Sequence, residues 1–167
     1  MRVRTARHAD FAAIAAVELS AGELFAGTHM AWAVGETTNV VDLAEAAAAG
    51  MLWVAEEDRE IAGFLLAEVC GKDLHIWEIA VHRDWQRRGT GRALLETATA
   101  AGAARGCSQA TLTTDRQLAW NAPYYASLGF AELAGPSCPA RLAAQMASEP
   151  QPHLRCAMSR AISPSAP

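Results

Sequence analysis

The chain has 167 residues, about half of them apolar, and a formal charge of −4, a size that suits one globular domain able to bury a core without disulfide or metal staples. The acidic balance argues against a general nucleic-acid binder, which needs a net basic face to displace counterions from phosphates. Cys70, Cys107, Cys138 and Cys156 form no CxxC pair and no Cys/His spacing of a zinc site, so they read as reduced structural thiols, with no metal expected.

The N-terminal stretch "MRVRTARHADF" enters charged, periodic sequence without an apolar h-region, and the longest apolar runs reach about half a membrane span. A soluble, cytoplasmic protein without a membrane partner is the expectation. Val3 to Ala6 reads as a short strand, and Asp10 as the cap of a helix with Phe11, Ile14, Ala15, Val17 and Leu19 at helical spacing. From Gly22 to Glu36 the sequence is apolar and irregular, a folded loop or short helix. Thr37-Thr38-Asn39 opens a second helix that Gly50 ends. "MLWVAEE", the turn "DRE" and "IAGFLLAEVCG" predict an antiparallel hairpin. "LHIWEIAV" then adds a third strand, with Trp53, Phe64, Leu66 and Ile79 as expected core residues.

Gly91 to Arg105 is predicted helical, with Ala93, Leu94, Leu95, Ala98, Ala101 and Ala104 on the buried face and Gly106 as the stop. "SQATLTT" is a strand, which makes a βαβ unit with a parallel, right-handed crossover. "WNAPYYASLGF" is a short helix with Pro123 in its first turn and Gly129 at its end, followed by a strand from Phe130. Residues 137–152 stay ambiguous, and "HLRCAMSRAI" suggests a closing strand. The expected domain spans 1–161, with 162–167 a disordered tail. The pattern predicts an α/β (α+β) domain around a mixed, mostly antiparallel twisted sheet of about six to seven strands, flanked by helices, with one parallel crossover.

Between the third strand and the long helix lies "HRDWQRRGTGR", four arginines in eleven residues together with two glycines. The first N–H groups of a helix lack intrahelical partners, and the helix dipole puts partial positive charge there. Gly89 and Gly91 can turn the backbone so that its N–H groups converge. Arg87, Arg88 and Arg92 can add charge-assisted hydrogen bonds to phosphate oxygens. A GxGxxG fingerprint would need glycine at Leu94, and a P-loop would need Gly-Lys-Ser/Thr. Neither common nucleotide loop fits.

Gln86-Arg87-Arg88-Gly89-Thr90-Gly91 after "IAVHRDW", with "WNAPYYASLGF" downstream, resembles the acyl-CoA-binding motif and late segment of the GNAT superfamily of N-acetyltransferases. The likeness covers roughly Val3 to Phe130 and is strongest from His75 on. It implies acetyl-CoA as cosubstrate, with the pantetheine arm along the main chain of Ile79, Ala80 and Val81. The pyrophosphate would be held by the stretch Gln86, Arg87, Arg88, Gly89, Thr90, Gly91 and Arg92. Asn121 matches an asparagine that hydrogen-bonds to the arm, and Tyr125 a tyrosine near the thioester sulfur.

Amide formation then needs a base, an oxyanion donor and a proton for the thiolate. Main-chain N–H on the third strand can stabilise the oxyanion, Tyr125 can be the general acid, and Glu78, the acidic residue inside "LHIWEIAV", the general base. His75 is the runner-up base. Cys107 would be the nucleophile of a covalent route, without an evident His partner. Direct transfer in a ternary complex is therefore preferred. The acceptor region implied by the resemblance runs from Leu19 to Val40 and includes Glu23, Phe25, His29, Met30, Trp32 and Glu36, which would suit a small cationic amine. The rival readings are a protein N-terminal or lysine acetyltransferase, a non-catalytic acyl-CoA-binding domain, and a nucleotide or nucleic-acid module. Homodimerisation, frequent in the family, is an open possibility.

Overall fold

The hairpin expected around "DRE" supplies the two strands on which the first half of the chain is built. The computed structural model of the chain describes residues 1–162. Its strands are β1 (Arg2–Thr5), β2 (Leu52–Glu57), β3 (Glu60–Cys70), β4 (Asp73–Val81), β5 (Gln109–Asp115), β6 (Ala131–Leu133) and β7 (Arg155–Ala161). The helices are α1 (Phe11–Gly22), α2 (Val40–Ala48), α3 (Thr90–Ala104), α4 (Ala122–Ser127) and α5 (Ala140–Ser148). One mixed sheet runs in the order β1-β2-β3-β4-β5-β7-β6, with β4 and β5 parallel at Asp73↔Gln109, Leu74↔Ala110 and His75↔Thr111. The mixed sheet, its helices and the single parallel crossover agree with the sequence reading.

Two compact units divide the chain: Met1–Glu68 with Glu78–Ala98, and Val69–Trp77 with the residues from Thr99 on. In the first, β2 pairs antiparallel with β1 and with β3. The turn between β2 and β3 places Asp58 and Arg59 at φ 50° and 69°, the left-handed pair that matches strand twist in a tight hairpin. Ile14, Val17, Leu43, Leu52, Val54 and Phe64 form the core of this unit, each buried aliphatic or aromatic side chain worth about 1.5–3 kcal/mol relative to exposure. Trp53, Phe64 and Leu66 are buried as expected, whereas Ile79 is only half-buried. Gly63 lies so close to β4 that an added Cβ would stand 2.8 Å from the Ala80 carbonyl oxygen.

Asp10 does not cap α1 with its side chain. Its carboxylate takes the Arg7 N–H at 2.7 Å and two Arg4 nitrogens at 2.8 and 2.9 Å, so it closes a 3-10 turn at His8–Asp10 onto β1. The Arg4 guanidinium and the Arg7 N–H hold the Asp10 carboxyl below its ordinary range. Asn39 does cap α2, accepting the Val41 N–H at 2.8 Å. Leu19, expected on the buried face of α1, is exposed. Residues 22–36 form the expected folded loop, with 3-10 turns at Glu23–Phe25 and Ala31–Ala33. Glu18 straps that loop to α1, its carboxylate accepting the Thr38 N–H at 3.0 Å and the Thr38 hydroxyl at 2.5 Å.

In the second unit β7 pairs with β5 over seven residues and with β6 over three, so the closing strand inserts between two strands that precede it. The ambiguous stretch before it holds α5. Only Leu142 of that helix is buried. The helix meets the sheet through hydrogen bonds: Arg141 donates to Asp73 (2.6 Å) and Thr111 (3.0 Å), and Gln145 donates to Thr113 (2.9 Å). Beyond the helix, Glu149 accepts from Thr113 at 3.1 Å and pairs with Arg155. On α3, Ala104 is exposed and Gly102 is buried instead, its α-carbon hydrogens facing Leu74, where a Cβ would come within 3.1 Å. Ile162 is buried and donates its N–H to Ser108. Residues 163–167, the rest of the expected tail, lie outside the described residues.

Candidate active site

The strand–loop–helix join of the first unit is built from β4 outward. His82 donates its N–H to Ala62 of β3 at 2.9 Å, and the Ala80 carbonyl faces Gly63. Main-chain groups alternate along a strand, so those of Ile79 and Val81 point to the opposite edge. The Val81 carbonyl there accepts the side-chain amide of Gln86 at 3.0 Å, which closes the loop back on its strand. A 3-10 turn at Arg83–Trp85 follows, and Thr90, fully buried at the first position of α3, donates its hydroxyl to the Trp85 carbonyl at 3.4 Å.

Between these anchors Arg87 and Gly89 both adopt left-handed backbone, φ 61° and 88°. Alternating left- and right-handed residues turn successive N–H groups to one side, the geometry of an anion-binding nest. Among the described residues, no acceptor of the chain takes the N–H of Arg87, Arg88, Gly89, Thr90, Gly91 or Arg92. The guanidinium groups differ in their settings. Arg83 is tied to Glu23 at 2.6 Å, Arg88 lies over the Trp85 ring at 5.0 Å, and Arg87, Arg88 and Arg92 are exposed. Peptide donors, a helix dipole and three exposed cations around one turn fit a diphosphate-bearing ligand.

Glu78 also belongs to this unit. It is exposed on β4 beside Trp77, a residue 47% accessible, and two successive exposed residues break the strand's inside–outside alternation there. In the loop after α1, Trp32 and Glu36 are exposed, Phe25 and His29 half-buried, and Met30 is buried. Met30 is thus a core residue, and Glu23 is already engaged with Arg83.

The second unit carries Asn121 and Tyr125. Asn121 precedes α4 at φ −109°, ψ −116°, and its side chain does not cap that helix. Its carbonyl accepts the Tyr125 N–H at 3.1 Å. The Tyr125 ring meets Phe130 edge-on at 5.8 Å and is tilted against Tyr124 at 5.5 Å, contacts that fix the phenol's direction. His75 is fully buried, with Nδ1 3.1 Å from the Thr111 hydroxyl and its ring edge-on to Trp77 at 4.5 Å. Cys107 is buried, and desolvation, then the Asp73 charge, push its thiol up; a nucleophile needs the opposite shift. No cluster of metal-ligating side chains occurs among the described residues, and no helix there is long and apolar enough to cross a membrane.

Sequence reasoning missed Arg83, Trp85 and Ser20 as parts of this framework. Arg83 read as one more cation of the cluster, but it reaches back to α1, with its N–H on the Ser20 hydroxyl at 3.2 Å. The only local signal was a bulky Trp inside an arginine run.

The fold is similar to several solved structures, N-acetyltransferases among them. The PaiA N-acetyltransferase of Thermoplasma acidophilum, solved with coenzyme A, shares 14% identity at a TM-score of 0.73, over 96% of this chain and 98% of that one. The ribosomal-protein-S18-alanine N-acetyltransferase of Escherichia coli shares 20% at 0.69, over 99% and 96%. Rv2747 of Mycobacterium tuberculosis, solved with CoA, shares 19% at 0.68, over 98% and 100%. At these identities the likeness speaks for the fold. The family model described as "Acetyltransferase (GNAT) domain" matches residues 48–132, from the end of α2 through the nest and α4 to β6. Just over half of the sequence thus follows one family pattern that includes the whole strand–loop–helix join, and the chain belongs to the GNAT family of acetyl-CoA-dependent N-acetyltransferases.

Proposed function

We propose that the protein transfers an acetyl group from acetyl-CoA to the primary amine of a small molecule, directly in a ternary complex, in the cytoplasm, within a catalytic domain spanning residues 1–161. The observation that carries the reading is the run of peptide N–H groups from Arg87 to Arg92 that no acceptor among the described residues takes, at the start of a helix in a GNAT chain. Those N–H groups hold the pyrophosphate, with Arg87, Arg88 and Arg92 adding charge-assisted bonds. Gln86 serves indirectly, by fixing the loop to the Val81 carbonyl. Asn121 binds the pantetheine arm, as do the main-chain groups of Ile79 and the Val81 N–H, which point away from β3; the Val81 carbonyl is taken by Gln86 and the Ala80 carbonyl faces Gly63.

Acetyl-CoA, when bound, supplies the acyl group as an activated thioester. Glu78 takes the proton that the acceptor ammonium must lose before it attacks, and its exposure lets it exchange that proton with solvent. His75, sealed from water against Thr111, is poorly placed for the same task. The Tyr125 hydroxyl donates a proton to the departing sulfur, and a β4 N–H supports negative charge developing on the carbonyl oxygen. Exposed Trp32 and Glu36 in the loop after α1 favour a small cationic acceptor through cation–π and ionic contact.

The test is an amine panel, with peptide N-termini as separate arms, followed by release of free thiol. Tyr125→Phe should lower kcat by roughly 100-fold, the lower end of what a positioned general acid contributes. Glu78→Gln should abolish the rise of kcat/KM with pH. Full kcat in Tyr125→Phe removes the acid role, and turnover of peptides alone replaces the small-molecule acceptor.

A further inference from the structure

Two side chains at the end of α1 reach the loop that leads into α3. The Arg83 N–H donates to the Ser20 hydroxyl at 3.2 Å, and the Arg83 guanidinium meets the Glu23 carboxylate at 2.6 Å. Glu23 begins the 3-10 turn that opens residues 22–36. At its foot Gly22 packs beside Ala33, where a Cβ would stand 3.5 Å from the Ala33 carbonyl. The short turn that carries Arg83 also carries Trp85. Its ring supports the Arg88 guanidinium at 5.0 Å, and its carbonyl receives the Thr90 hydroxyl at 3.4 Å. A displacement of Glu23 therefore reaches, through one three-residue 3-10 turn, both a cation and the first helical residue of the nest.

We propose that Arg83 is a positioning residue that couples the loop after α1 to the nest, so that an acceptor ordering that loop strengthens the hold on coenzyme A. This rests on the assignment of the nest to coenzyme A and of residues 19–40 to the acceptor. Arg83 and Glu23 are both largely exposed, so the ion pair itself is weak. Its leverage comes from what the turn carries. Coupling of this kind is reciprocal: coenzyme A must strengthen acceptor binding by the same factor.

The experiment is calorimetric titration of coenzyme A into the wild type and into Glu23→Gln, Arg83→Gln, Arg83→Lys and the Glu23→Gln/Arg83→Gln double variant, beside thermal melts of each. Glu23 is remote from the nest in the chain and carries no charge a phosphate would seek, so its variant is the decisive one. Glu23→Gln and Arg83→Gln should each raise Kd about two- to fivefold, the range of an exposed ion pair. The double variant should lose no more than either single one, and Arg83→Lys should recover part of the loss. These changes should shrink at high salt and leave Tm unmoved. Weaker binding by Arg83→Gln with wild-type affinity in Glu23→Gln would mean that Arg83 touches the cofactor itself, which overturns the coupling, as would additive losses. No binding by the wild type would overturn the assignment of the nest instead.

Discussion

Gly63→Ala adds one methyl group at the closest approach of β3 to β4. The new carbon would lie 2.8 Å from the Ala80 carbonyl oxygen and 3.3 Å from both Leu94 Cδ1 and Thr90 Cγ2. A methyl carbon does not approach a carbonyl oxygen that closely, and the oxygen belongs to backbone that cannot rotate aside. Relief requires β4 to move off β3 while the first turn of α3 gives way. Overpacking of this sort costs about 1–3 kcal/mol. For a domain of this size each kcal/mol moves Tm by roughly 2–4 °C, so the Tm followed by circular dichroism should fall by about 2–12 °C. Thr90 belongs to the nest and Ala80 to the strand that leads into it, so the same variant should bind coenzyme A more weakly than its stability loss alone would suggest, measured well below Tm. A variant that melts within about 1 °C of the wild type would show that β3 and β4 have slack there, and the argument from close approach would fail.

Gly89→Ala makes the complementary case: no atom lies within 4 Å of the added methyl, but φ is 88°, so only backbone strain of about 1–2 kcal/mol is expected, with a loss of coenzyme A affinity larger than the loss of Tm implies. Asp10→Asn should cost about 1–3 kcal/mol near neutral pH through its charge-assisted bonds to Arg4. Because the folded carboxyl titrates below its ordinary 3.8, that stability is present above the unfolded value and is lost as pH falls through the folded one. The Tm gap between wild type and variant should close on acidification, and a constant gap would refute the assignment. Glu18 has the opposite sign. Burial raises its pKa above 4.5, against the pull of the Thr38 bonds, so its contribution is complete below that value and lost as pH rises through the folded one. The Tm advantage of wild type over Glu18→Gln should therefore shrink from pH 4 to 8, and an advantage independent of pH would sink the reading.

Local signals carried the sequence analysis furthest where they were strongest. The Asn39 cap, the charged hairpin turn, Gly106 after α3 and the glycine-rich start of α3 all announce themselves within a few residues. Asp10 misled because the competitor for its carboxylate, Arg4, arrives from another element. Ala104 and Gly102 exchanged roles because which α3 positions are buried depends on Leu74, a contact across the chain. α5 was hard to read because it is short and meets the sheet through the polar side chains Arg141 and Gln145 at helical spacing, with Leu142 as its one buried residue. In the site, the spacing around Gly89 was readable. The burial of His75 and the tie of Arg83 to Glu23 were not, since both depend on partners at least 36 residues away.

The way α5 is attached has its own outcome for motion. A helix that rests on the sheet through directional bonds, with one leucine as its apolar anchor, forfeits little hydrophobic area when it lifts, while water can take over each of its polar partners. Its backbone amides should therefore exchange with deuterium by a local opening far below the global unfolding free energy, ahead of those in β5 and β7 beneath it.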